Sequence, residues 1–235
     1  MAGSRWVLQG KENQQSGIDL SDLLDRVSGF ALANLLWVLL SLPIVTLPAA
    51  TAGLFAATSP WARGKTGDLF RDFFDGMRQC WFKSTVVVVL DLAVGGLVAI
   101  NLTIFRMMNL SQPLTVMSQS AMLCVALLIV MVNLYIWPLM VLFNMPLNQL
   151  FLASLQMVFA YPWRSLLLLL AGLVPLLLGL VLPAAVMIIV SVSASALLIN
   201  WGAWRVIRLF IAAEDLAKLE VKSSFRFRGQ NKRSI

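Results

Sequence analysis

Three runs without a single charged residue, 27–62, 107–163 and 165–204, constrain this 235-residue chain more than any motif in it. Each is longer than the ~20 residues an α-helix needs to cross the hydrocarbon of a bilayer. The overall balance agrees, with 60% apolar and 12% charged residues and a mean hydropathy of +0.85. A soluble domain carries about 25% charged residues. The sequence therefore reads as an all-α, polytopic transmembrane helix bundle of about six membrane segments, with one or two cytoplasmic interfacial amphipathic helices.

Residues 1–17 hold Gly, Gln, Asn and Ser without periodicity and read as a disordered N-terminal tail. Polar throughout, the first 26 residues lack the apolar core of a cleaved signal, so the first membrane segment is expected to be retained. A single transmembrane helical domain is expected over 18–210. Its first helix, with Asp19 or Ser21 as cap, has Ile18, Leu20, Leu23, Leu24 and Val27 at helical spacing and continues to Leu42. Pro43 and Pro48 then break the apolar run, and "AATAGLFAATSPW" is long enough for about half a membrane thickness.

Between 67 and 82, Leu69, Phe70, Phe73, Phe74, Met77, Trp81 and Phe82 share one helical face, opposite Asp68, Arg71, Asp72, Asp75 and Arg78. That pattern predicts an interfacial helix, or one packed beneath the transmembrane bundle, followed by crossings at 84–106 and 115–143. Asn144, Asn148, Ser154 and Gln156 make 147–162 a second surface or partly inserted helix. The uncharged stretch 165–204 holds two further crossings, the second starting at Pro183, and 211–235 is a basic cytoplasmic tail.

The distribution of Lys and Arg sets the orientation. Five lie in 61–83 (63, 65, 71, 78 and 83), eight from 205 onward, and three at the N-terminus (5, 11 and 26), whereas the links at 107–114 and around 182 carry none. Both termini are thus placed in the cytoplasm. Arg26 and Arg63 belong on the same side, so the Pro-broken segment must enter the membrane and return as a hairpin. The net charge of +7 is explained by these flanks and by anionic headgroups, not by nucleic acid.

Few residues suggest chemistry. Asp91 is the only acid inside an apolar crossing, and an intramembrane carboxylate must face the bundle interior, water or a partner. Two readings stand for it: a proton or cation site, or a structural hydrogen bond to Asn34, Asn133 or Asn200. Asn34, Asn101, Asn133 and Asn200 place one carboxamide in each of four crossings, as glue between helices or as a polar path. Pro43, Pro48 and Thr46 mark a break that is either a cavity or a turn, with Ser41, Thr46 and Thr51 at hand to satisfy its freed backbone.

Gly95 and Gly96 read as a close helix approach, and Cys80 and Cys124 as packing residues without a disulfide. Arg164, Arg205 and Arg208 are expected to snorkel at cytoplasmic ends. With no His, no GxxxxGK[ST] loop and no GxSxG elbow, a conventional hydrolase or NTPase is not expected, nor is a metal, cofactor or catalytic residue.

"NLLWVLLSLPIVTLPAATAGLF", "DLFRDFFDGMRQCWFKST" and the later "FLASLQMVFAYPWRSLLLLL" together resemble the YesL family of bacterial integral membrane proteins, a domain family of unknown function. The resemblance covers roughly 20–210, and its most specific piece is the first helix with "LPIVT". Many members carry Gly before the second proline, where this chain has Leu47. Members are often encoded beside carbohydrate uptake systems of the ABC type. The resemblance thus implies a non-enzymatic accessory or scaffold role in the bacterial inner membrane, with lipid, transporter subunits or a second copy of the chain as partners. A small transporter or channel using Asp91 and the Pro43–Thr51 break is the alternative, and an intramembrane enzyme ranks third.

Overall fold

A computed structural model describes residues 20–107, 112–143, 145–181 and 191–210, and among them it is all-helical with no strand. The expected tails, the cap at Asp19, Asn144 and the turn at Pro183 lie outside what it describes, and Ser21 falls within α1. Seven α-helices follow one another: α1 (Leu20–Ser41), α2 (Leu47–Ala62), α3 (Leu69–Met107), α4 (Gln112–Leu142), α5 (Leu147–Ala160), α6 (Pro162–Val181) and α7 (Val192–Phe210).

The middle of the bundle is α2. Twelve of its 16 residues are buried, and it packs against α1, α3, α4 and α7 at once. A helix hydrophobic all round has to be enclosed in this way. Its small residues let neighbours come close. A Cβ built on Gly76 of α3 would stand 2.2 Å from the Ala56 Cβ, and one on Gly53 would stand 2.8 Å from the Phe73 carbonyl oxygen. This is the small-residue seam by which helices associate in lipid. The chain leaves α2 through Gly64, at φ +70°, where the Arg63 and Lys65 amides both donate to the Pro60 carbonyl.

α1 and α2 form the expected hairpin. Trp37 Nε1 donates to Thr51 Oγ1 at 3.2 Å, and Phe30 meets Trp61 edge-on at 5.1 Å, so partners approach in sequence toward the break, as antiparallel helices require. A 3-10 turn, Ile44–Thr46, closes it. Leu47 sits at φ −53° and ψ −46°, ordinary helical values that require no glycine.

The amphipathic stretch 67–82 differs from the sequence expectation. It is not a separate surface helix but the first part of α3, which runs unbroken for 39 residues, about 58 Å. No Gly or Pro occurs from Met77 to Val94, so the change from charged to apolar composition at Ser84 does not interrupt the backbone. Its predicted aromatic face also divides: Phe73 is fully buried, while Phe70, Phe74, Trp81 and Phe82 are exposed.

Among the described residues three helices are long and apolar enough to cross a membrane by length and composition, within α3, α4 and α6. α5, with 14 residues, reaches about 21 Å, short of the ~30 Å hydrocarbon thickness. A second core lies among α4 to α7, where Tyr135, Leu139, Leu150, Met157 and Ile207 are almost wholly enclosed.

Candidate functional site

The helix break satisfies itself. Pro43 removes one amide from the end of α1, and Thr46 Oγ1 turns back to donate to the Leu40 and Pro43 carbonyls. Ser41 Oγ donates to Val38 and Thr51 Oγ1 to Leu47. The tip presents Leu42, Ile44 and Val45, 73%, 84% and 71% exposed, so Pro43 and Thr46 form a turn with an apolar outer surface. Pro48 is buried at the start of α2, where a missing N–H is tolerated.

Asp91 finds one of its three expected partners. Asn133 Nδ2 on α4 donates to Asp91 Oδ1 at 2.8 Å and shares itself with the Ile129 carbonyl at 3.2 Å. The pair ties α3 to α4. Asn133 also lines a hollow of about 240 Å³ with Phe55, Val130, Leu134, Trp137 and Ile199. Its Oδ1 is buried without a partner among the described residues.

Asn34 and Asn200 serve different junctions. Asn34 Oδ1 accepts from the Ser193 amide at 2.9 Å, and Ser193 Oγ donates to the Phe30 carbonyl, joining α1 to the start of α7. Asn200 Nδ2 donates to the Phe55 carbonyl at 2.9 Å and to Thr58 Oγ1 at 2.8 Å, joining α7 to α2. Asn101 is half-buried near the far end of α3, with its Oδ1 unpartnered among the described residues. The carboxamides therefore do not converge on Asp91.

Two expectations fare differently again. Gly95 and Gly96 have open space where a Cβ would stand, so they are not at a close approach; Gly29, Gly172 and Gly202, like Gly53 and Gly76, are. Cys80 is buried and Cys124 exposed, both as free thiols.

Composition gave no sign of two further groupings. Tyr135 Oη and Ser165 Oγ, both buried, lie 2.8 Å apart and join α4 to α6. At one end of the bundle the arginines gather around two tryptophans. The Arg205 guanidinium stacks 3.6 Å from the Trp201 ring centre, and Arg63 and Arg208 stand 5.7 and 5.9 Å from that of Trp204. Arg164, Arg205 and Arg208 share the rim of an open groove between α6 and α7, about 680 Å³ in volume, with no Asp or Glu in its lining among the described residues. The spacing Trp201, Trp204, Arg205, Arg208 was the signal in the sequence, since residues three and four apart share a helix face.

Residues 30–102 match a family model described as "Protein of unknown function, DUF624". They span most of the α1–α2 hairpin and α3 as far as Leu102, hence the whole small-residue seam. No curated protein matches the chain, and no solved structure does.

Proposed function

We propose that the chain is a non-enzymatic scaffold or accessory protein of the bacterial inner membrane, with both termini cytoplasmic. The observation that carries this reading is the use of its interior polar groups: Asp91 with Asn133, Asn34 with Ser193, and Asn200 with Thr58 each bond one helix to another. Hydrogen bonds between helices in lipid hold a bundle together. The outer surface, with Leu92, Leu97, Leu123 and Leu178 exposed, suits contact with lipid or with the helices of a partner. The assignment to a carbohydrate uptake system of the ABC type rests on the resemblance to the YesL family alone.

A second reading, a small transporter using Asp91 and the Pro43–Thr51 break, draws support from the unpartnered Asn133 Oδ1 beside its hollow. One pair of experiments separates them. For a scaffold, the full chain extracted in mild detergent brings transporter subunits with it, and Asp91→Asn leaves that assembly and its uptake intact. For a proton-coupled carrier, a lone purified chain moves solute in proteoliposomes and Asp91→Asn abolishes the flux. The second outcome would sink the scaffold reading.

A further inference from the structure

We infer that the groove between α6 and α7 is a binding site for an anionic phospholipid, with the headgroup phosphate on Arg164, Arg205 and Arg208 and an acyl chain along the apolar wall behind them. The observations come from both chemistries a lipid carries. Among the described residues the rim holds three guanidinium groups and no acid, and none of the three is paired with a carboxylate. Arg205 and Arg208 are three residues apart on α7, and Arg164 lines the same groove from the first turn of α6, so cations from two helices meet one opening that a phosphate would occupy. Stacking on Trp201 and on Tyr161 holds Arg205 and Arg164 in place before a ligand arrives. The positive end of the α6 dipole points to the same mouth.

Depth along the helices completes the match. Below the arginines the lining turns wholly apolar, through Leu167 and Ala171 on α6 and Leu198 on α7. Leu167 and Ala171 lie about one and two turns deeper than Arg164. When α6 crosses the membrane, its first turn lies at the headgroups and these side chains lie at the level of the first methylenes. The groove is open along its length rather than enclosed, a shape that admits a lipid sideways from the bilayer. Basic pockets between helices on the cytoplasmic side are where anionic headgroups are held. A phosphate without its chain fills the rim and leaves the apolar wall uncovered.

Native mass spectrometry of the full chain in a detergent micelle, titrated with phosphatidylglycerol or phosphatidylcholine of identical acyl chains, reads the site directly. Phosphatidylglycerol is expected to be retained at about tenfold lower concentration than phosphatidylcholine. The triple variant R164Q/R205Q/R208Q loses that preference. Ala171→Trp fills the acyl slot without touching the charges and weakens retention of both lipids. Equal retention of the two lipids, or a triple variant that keeps the preference, overturns the proposal. So does displacement of phosphatidylglycerol by glycerol phosphate at equal concentration, because that is the behaviour of an anion site with no place for a chain. Should the triple variant fail to fold, Arg205→Gln alone, on an exposed side chain, must show a smaller loss in the same direction.

Discussion

At the scale of single residues, the seam between α2 and α3 reverses an ordinary rule. Replacing Gly by Ala inside a helix stabilises it by about 0.5–1 kcal/mol, because the unfolded chain loses freedom. At Gly76 the added methyl would stand 2.2 Å from the Ala56 Cβ, and both atoms are fixed to backbone. Gly76→Ala is therefore expected to lower stability by about 1–3 kcal/mol, the range for overpacking. Thermal unfolding in detergent would show it as a fall in Tm. Gly95→Ala, which meets nothing within 4 Å, should leave Tm unchanged or raise it, and Ala56→Gly added to Gly76→Ala should recover much of the loss. A double variant no better than Gly76→Ala alone would show that the two helices do not meet there. None of this was legible in the residues themselves. Gly95 and Gly96 look like the better packing motif, since they are adjacent in an apolar run, yet which face of α3 is turned inward is decided by Phe73, Gly76, Cys80, Ser84 and Val87.

At the scale of elements, the break after α1 depends on a hydroxyl more than on its prolines. Thr46 Oγ1 donates to the carbonyls of Leu40 and Pro43, which lipid cannot satisfy. Thr46→Val keeps the shape and removes the donor, so it should destabilise the fold by about 1 kcal/mol, the usual size of one net hydrogen bond. Thr46→Ser should retain stability, and denaturant titration of the three proteins would rank them. Val equal to Thr would mean that the turn is held by Pro43 alone. The hairpin itself was foreseeable, because Arg26 and Arg63 demand the same side and two prolines lie between. Continuity of α3 was not, because composition marks where lipid begins and says nothing about where a helix ends. The Asp91–Asn133 pair was half legible: a carboxylate in a crossing demands a partner, but choosing among three asparagines needed the packing of α3 on α4.

At the scale of the whole molecule, length decides how the hairpin sits. α2 has 16 residues and spans about 24 Å, less than the ~30 Å of hydrocarbon. Its C-terminal end is held among Arg63, Trp204 and Arg208, charges that belong at the headgroups. The tip, Leu42 to Val45, is then expected to stop short of the opposite surface, with its exposed Leu42, Ile44 and Val45 side chains among acyl chains instead of water. α1 and α2 are thus expected to make a re-entrant hairpin beside α3, α4 and α6, the helices long and apolar enough to cross. A cysteine placed at Ile44, in a chain whose Cys80 and Cys124 are replaced by Ala, should resist a membrane-impermeant maleimide added from either side of sealed vesicles, because thiolate forms only in contact with water. One at Lys65 should react from the cytoplasmic side alone. Rapid labelling of the Ile44 cysteine from the far side would mean that the hairpin crosses completely, and labelling of Lys65 from that side would invert the orientation drawn from the arginines.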